Sequence, residues 1–430
     1  MQRGYLDLSG SLYTFVVLIA LVCGFGFLNE KVTKLTYEIA LMLFSLGAGV
    51  IILLFAMLCK GNDPASVLAQ FHYLDIEKFL MDGVLCFMLF AGSCRLKLSD
   101  FKQQARQVSV LAFVCTLLGA CIYAAIFFFT GRLLNIGLSL PVCLIFGSIT
   151  APTDPIAATG ILSKFGLPKK LSFLIEGESL FNDGVGVALF VCFSGMVTAS
   201  SSGGFFAVMV RELFGAVLIG TVITLVCFSM FRFTKSNTLG IFVSLLIVSL
   251  SYSLCELLGC SGAIASVICG LLFSTLRSRY CAGDSSEKKE SFDQFWETLD
   301  VLLNSLLYVM LGLTFVHILQ MDKVIILSLA AVLINLIARF GSVSVSSLFM
   351  GKLPDNYNRL NFVKLMTWGG LRGGLSVALA MSTREFLPEQ TYYIILGGTY
   401  AIVFFTTVVQ GLTMKQVYKN IDRSVKESNK

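Results

Sequence analysis

The stretch from Ser148 to Phe190 reads SITAPTDPIAATGILSKFGLPKKLSFLIEGESLFNDGVGVALF. It places three carboxylates, Asp154, Glu178 and Asp183, within a strongly apolar part of the chain. A charge inside a bilayer is costly unless it is paired or hydrated. Each of the three is therefore a candidate functional residue if this part of the chain spans a membrane.

The composition predicts an all-α polytopic membrane protein, since 56% of the 430 residues are hydrophobic and 13% are charged. Long apolar runs predict about thirteen membrane spans. Their centres lie near residues 20, 47, 86, 118, 148, 185, 220, 248, 267, 309, 338, 372 and 404. The cysteines fall mostly singly within apolar runs, without metal-binding spacing, so we expect no resident metal or other cofactor.

The positions of Lys and Arg predict the orientation of the chain. Of the 32 basic residues, 23 lie in the tail and in the loops after odd-numbered spans, and six in the N-terminus and the other loops. Because basic residues collect on the cytoplasmic side, we expect an external N-terminus and a cytoplasmic C-terminus. The net charge of +6 follows from these loops and indicates no nucleic-acid partner.

Prolines predict that the fifth span is broken. Four of the seven prolines lie in or just after it, at positions 141, 152, 155 and 168. Pro152 and Pro155 lack N–H groups, so helical carbonyls would lose their partners here. Such carbonyls can ligate a cation in a watery cavity, and Thr153 and Asp154 could add a hydroxyl and a carboxylate. The alternative is that Asp154 only satisfies N–H groups at a helix end.

The sixth span carries a second polar cluster, EGESLFNDG. Ser179 and Asp183 lie four residues apart on one helix face, with Glu178 and Asn182 beside them. Carboxylate, amide and hydroxyl oxygens suit Na⁺, Li⁺ or a proton. For Glu178 an ion pair with Arg339 of the eleventh span is the simpler explanation. Asp300 and other charges lie nearer span ends, where snorkelling or loop contacts explain them more simply.

The twelfth span reads TWGGLRGGLSVALA, and its glycines predict a second break around Arg372. Spans five and twelve have opposite orientations, which indicates an inverted repeat of spans four to six and eleven to thirteen. An inverted repeat with two crossed broken helices places the substrate at the crossing. Arg372 either contacts the substrate there or, as we favour, holds the half-helix ends together.

The segments TAPTDPIA, GESLFNDG and WGGLRGGLSVALA, in this order, resemble the monovalent cation:proton antiporter-1 family, which includes bacterial and archaeal sodium/proton antiporters and animal exchangers. The resemblance implies a homodimer with a mobile core, roughly 79–200 and 324–419, beside a dimerisation part, roughly 1–60 and 204–276. A cytoplasmic loop at 277–298 and a short cytoplasmic tail at 415–430 complete the chain.

The resemblance also implies roles for individual residues. It implies that Asp183 binds both the cation and the proton, and that Asn182 is its structural neighbour. Thr153 and Asp154 would be contacts of the unwound segment, Ser179 a further candidate Na⁺ ligand, and Glu178 with Arg339 a core ion pair. The sequence departs from the family in the third span, where LFAGSCRL puts Ala91 at a position that is acidic in several members.

Charge arithmetic favours electroneutral exchange of one Na⁺ for one H⁺. Asp154, Glu178 and Asp183 with Arg339 and Arg372 leave the empty core at −1, which one Na⁺ or one H⁺ neutralises. If Asp154 also titrates, transport is electrogenic. Li⁺ or K⁺ remains open as the preferred cation, and a cation channel is the less favoured alternative.

An enzyme is disfavoured. Two aspartates could serve an intramembrane protease, but neither Tyr-Asp nor Gly-x-Gly-Asp surrounds Asp154 or Asp183. The expected location is a cell membrane, with a bacterial inner membrane favoured.

Overall fold

The computed structural model describes residues 2–58, 83–95, 98–163, 166–198, 205–233, 236–280, 286–315, 325–351, 353 and 357–428. Helices and their connections make up this part of the chain, and no strand occurs in it. The first helices are α1 (Gln2–Leu28), α2 (Tyr37–Leu58), α3 (Leu85–Arg95), α4 (Leu98–Ser109), α5 (Thr116–Leu133), α6 (Leu140–Ile149), α7 (Pro155–Ser163) and α8 (Lys169–Thr198). The remaining ones are α9 (Phe205–Phe233), α10 (Asn237–Leu257), α11 (Gly262–Tyr280), α12 (Ser286–Phe315), α13 (Ile325–Phe349), α14 (Arg359–Trp368), α15 (Gly374–Ser382), α16 (Glu389–Phe404) and α17 (Gly411–Ser428).

The helices follow the predicted spans closely. Twelve of the thirteen predicted centres fall within a helix, and the remaining one, residue 372, falls between α14 and α15. Eight helical segments of the described chain are long and apolar enough to cross a membrane, and α2, α3 and α6 add shorter apolar ones. The chain is therefore a multi-pass helical membrane protein, as predicted.

Both predicted helix breaks are present. Helix α6 ends at Ile149 and α7 begins at Pro155, whose missing N–H costs nothing in the first turn of a helix. Helix α14 ends at Trp368 and α15 begins at Gly374. We call residues 150–154 the first break and residues 369–373 the second break.

The glycines of the second break are needed for close packing. A Cβ on Gly370 would lie 2.7 Å from the Arg339 Nε, and one on Gly373 would lie 3.0 Å from an Asp154 carboxylate oxygen. Larger residues would therefore push other groups away from the crossing. The two breaks can approach each other because these positions carry no side chain.

The connection predicted as a loop at 277–298 is largely helical. Helices α11 and α12 extend into it, and Arg277 pairs with Asp293 at 2.5 Å between them. The predicted tail is helical to Ser428. The predicted core and dimerisation boundaries stay predictions. Parts of these segments lie outside the described residues, namely 1, 59–60, 79–82, 96–97, 164–165, 199–200, 204, 234–235, 281–285, 324, 352, 354–356 and 429–430.

Candidate functional site

The two breaks contact each other directly through their backbones. The Asp154 N–H donates to the Leu371 carbonyl at 2.8 Å. The Arg372 Nη1 donates to the carbonyls of Ala151 at 2.5 Å and Pro152 at 2.7 Å, and its Nη2 donates to the Asn335 Oδ1 at 3.3 Å. Arg372 is only 4% exposed. Its guanidinium therefore binds the Ala151 carbonyl, which Pro155 leaves without a helical partner, and the neighbouring carbonyl of Pro152.

Two threonines of the last span hold the second break, and sequence reasoning missed them. The Arg372 N–H donates to the Thr406 Oγ1 at 3.0 Å, and the Thr407 hydroxyl donates to the Arg372 carbonyl at 3.2 Å. Both threonines lie in a π-helical turn, Phe405–Gln410, between α16 and α17. Such turns often occur at functional sites. The signal in the sequence was the pair of adjacent hydroxyls inside an apolar run.

Thr153 of the first break is held by two polar side chains of α8. The Asn182 side chain accepts from the Thr153 N–H at 3.2 Å and donates to its hydroxyl at 2.8 Å. The hydroxyls of Ser179 and Thr153 lie 2.8 Å apart, and Ser179 also donates to the Thr153 carbonyl. All three residues are buried. Asn182 and Ser179 thus fix the conformation of the broken segment next to the two aspartates.

Asp154 and Asp183 line one cavity of about 530 Å³, together with Thr153 and residues of α3, α12 and α15. Both aspartates are partly accessible. No described residue donates a hydrogen bond or forms an ion pair to the Asp183 carboxylate. This carboxylate therefore faces a space that water or a small cation can enter, with its coordination capacity unfilled by the described residues.

The cavity is rich in carboxylates beyond the two aspartates. Glu176, Glu297 and Asp300 also line it, and Arg95 is the one basic residue among its described lining residues. Arg95 is itself paired with Asp300 at 2.5 Å. A concave surface with an excess of one charge concentrates ions of the opposite sign, so the cavity attracts cations.

Glu178 and Arg339 form a pair outside this cavity. The Arg339 Nη1 and Nη2 donate to the two Glu178 carboxylate oxygens at 2.5 and 3.0 Å, and Nη2 also lies 3.3 Å from the Met366 carbonyl. Their side chains are 2% and 6% exposed. The pair is bidentate and almost completely buried from solvent, so it joins α8 to α13 rather than facing an ion path.

The third span supplies no acidic side chain within its described residues, 85–95. Ala91 is 1% exposed and does not line the cavity, whereas Leu89, Gly92 and Arg95 of the same helix do. The acidic group near this helix comes instead from Asp300 of α12. Snorkelling was the wrong explanation for Asp300, which is 5% exposed and turned inward to Arg95.

The chain is similar to known proteins over most of its length. The family model described as "Sodium/hydrogen exchanger, transmembrane" matches residues 17–420. The Na⁺/H⁺ antiporter NhaP of Pseudomonas aeruginosa is 29% identical over 421 residues, covering 94% of this chain and 97% of that protein. The Na⁺/H⁺ antiporter NhaH of Halobacillus dabanensis is 32% identical over 344 residues, covering 77% and 81%.

A solved structure shares the fold. The sodium proton antiporter MjNhaP1 from Methanocaldococcus jannaschii superposes with a TM-score of 0.74 at 21% identity, covering 95% of this chain and 98% of that one. At this identity the similarity supports the fold alone. The match of the family model to residues 17–420 shows that the chain belongs to the sodium/hydrogen exchanger family.

Proposed function

We propose that this protein exchanges Na⁺ for H⁺ across a membrane by alternating access, with both ions competing for Asp183. The observation that carries the proposal is the Asp183 carboxylate, which faces a cavity beside two crossed helix breaks and has no hydrogen-bonding partner among the described residues. The similar proteins named Na⁺/H⁺ antiporters support the same activity.

The ligands of the proposed cation site come from helix α8 and the first break. Asp183 and Asp154 supply carboxylates, and Thr153 and Ser179 supply further oxygens close to them. Oxygen ligands of this kind suit small hard cations. Asn182 holds the Thr153 backbone, and Arg372 binds the carbonyls before it, so these two residues shape the site rather than fill it.

Charge conservation couples the two fluxes. Asp154, Glu178 and Asp183 with Arg339 and Arg372 give the empty core a charge of −1. One Na⁺ or one H⁺ at Asp183 neutralises it, and a neutral core crosses the low-dielectric region more readily than a charged one. The core therefore moves loaded with either ion and resists moving empty. Exchange is then one for one and electroneutral.

The orientation of the cavity follows from the Lys and Arg distribution. Arg95 ends α3 and Glu297 lies near the beginning of α12, and the loops beside both helix ends belong to the basic, cytoplasmic set. The cavity thus opens toward the cytoplasm, the N-terminus is outside and the C-terminus inside.

We place the protein in a cell membrane, most simply a bacterial inner membrane, as a homodimer through residues 1–60 and 204–276.

The experiment is Na⁺-driven proton movement in proteoliposomes, with the membrane potential clamped at zero and then imposed. The wild type is compared with Asp183→Asn and with Asp293→Asn, a control at an exposed aspartate on α12 whose side chain is 67% accessible. We expect potential-independent exchange by the wild type and the control, and none by Asp183→Asn.

An active Asp183→Asn variant would show that another residue binds the ions. A rate that depends on potential would favour the alternative in which Asp154 carries a second proton. Repeating the assay with Li⁺ and K⁺ identifies the preferred cation, and flux that persists without counterflow would favour a channel.

A further inference from the structure

Helix α12 presents a buried polar face that belongs to none of the three family-like segments. Asp300, Asn304 and Tyr308 follow one another at intervals of four residues and therefore lie along one side of the helix. They are 5%, 4% and 1% exposed. Three polar side chains buried in one row need partners, and the structure shows where those partners are.

The row is anchored near the cavity mouth. Arg95 of α3 donates to the Asp300 Oδ2 at 2.5 Å, and the Asn304 Nδ2 donates to the Asp300 Oδ1 at 2.9 Å. Arg95 is half exposed, with 49% of its side chain accessible. The Arg95 bond joins α12 to α3 at the edge of the cavity, and the Asn304 bond holds the Asp300 carboxylate within α12.

The other end of the row lies against both breaks. A Cβ on Gly374, the first residue of α15, would overlap the Leu307 side chain. The next residue, Tyr308, donates its hydroxyl hydrogen to the Asp154 Oδ2. That same carboxylate packs against Gly373 of the second break. Helix α12 is therefore held in a position from which Tyr308 contacts Asp154 of the proposed cation site.

We propose that Tyr308 is a positioning residue that sets the cation affinity of the site by orienting the Asp154 carboxylate. This inference rests on the proposed function. An ion ligand must be held close to its productive position by groups that are themselves fixed. The Asp154 backbone is fixed by Leu371, and Tyr308 restrains the side chain. Without the hydroxyl, the Asp154 carboxylate loses one of its restraints, so more of its ordering accompanies cation binding and the cation binds more weakly.

The test compares Tyr308→Phe with the wild type and with Tyr123→Phe. Tyr123 is a matched control because it is also 1% exposed and its hydroxyl has no hydrogen-bonding partner in the described structure. Both changes remove one buried hydroxyl and keep the ring. The Na⁺ KM and the maximal rate are measured in proteoliposomes. The rise in the thermal midpoint with Na⁺, relative to choline, is measured in detergent.

We expect Tyr308→Phe to raise the Na⁺ KM about tenfold while the maximal rate stays within about twofold, the effect of losing one hydrogen bond to a charged group. Tyr308→Phe should also need about tenfold more Na⁺ than the wild type for the same rise in the thermal midpoint. Tyr123→Phe should match the wild type in both measurements.

A Tyr308→Phe variant with unchanged KM overturns the proposal, whether or not its maximal rate or stability falls. An equal KM shift in Tyr123→Phe also overturns it. A wild type that is stabilised by Na⁺ but does not exchange would refute the proposed function alone, and the thermal measurement would still decide the role of Tyr308. A wild type that neither exchanges nor responds to Na⁺ refutes both.

Discussion

The Glu178–Arg339 pair allows a quantitative test of what holds the core together. Two nitrogen–oxygen distances of 2.5 and 3.0 Å join side chains that are 2% and 6% exposed. Because both side chains are buried, Glu178→Ala or Arg339→Ala leaves the remaining charge without its partner inside the protein. Each single change should therefore cost about 3 to 5 kcal/mol of the free energy of unfolding, the usual cost of an orphaned buried charge.

The double variant Glu178→Ala/Arg339→Ala shows how much of each single cost comes from leaving one charge without its partner. If each single change mainly leaves a partner uncompensated, removing both should cost clearly less than the sum of the two, with a coupling energy of about 2 kcal/mol or more. Independent effects of lost packing would instead add. The free energy of unfolding is measured by denaturant titration in detergent micelles for the wild type and the three variants.

The Arg277–Asp293 pair is the control, because its distance is also 2.5 Å while its aspartate side chain is 67% exposed. Arg277→Ala should cost about 1 kcal/mol or less, since water solvates the remaining charge. If Glu178→Ala and Arg339→Ala are as stable as the wild type but inactive, the structural role is refuted and the pair takes part in transport instead. Additive costs in the double variant would refute the orphaned-charge argument.

Two further predictions concern packing and proton competition. Gly147→Ala should destabilise the protein by about 1 to 3 kcal/mol, because the added methyl would overlap the Ala120 carbonyl oxygen of α5. Gly160→Ala, whose added methyl would contact none of the described residues, should leave the thermal midpoint unchanged or raised, and equal effects of the two substitutions would contradict this packing. If Na⁺ and H⁺ compete for Asp183 as proposed, the Na⁺ KM should rise about tenfold per unit fall in pH wherever the proton dominates the site, as flux measured over a pH series will show. A KM that is flat across that series would exclude competition.

The local chemistry of the breaks was predictable because it depends on single residue types. A proline has no N–H group in any context, so Pro152 and Pro155 predict the first break from sequence alone. The glycines around Arg372 predict the second break in the same way. The i, i+4 spacing likewise put Ser179 and Asp183 on one face of α8 before any contact was known.

The contributions of α12 were not predictable by the same reasoning. The charge of Asp300 near the end of a span is equally compatible with exposure to water and with burial against a partner. The structure decides for burial because Arg95, 205 residues away in the chain, lies 2.5 Å from it. Tyr308 was overlooked because a tyrosine in an apolar span is ordinarily read as part of the core.

The sequence by itself therefore determined the membrane class, the approximate centres of the helices, both breaks and the candidate aspartates. Apolar length, missing donors and helical periodicity are local properties, and these features depend on them. Only the tertiary structure decided which carbonyls Arg372 binds, that Asn182 and Ser179 hold Thr153, and that Tyr308 reaches Asp154. These contacts join residues far apart in the chain, and their geometry is set by how closely the helices pack at the glycines.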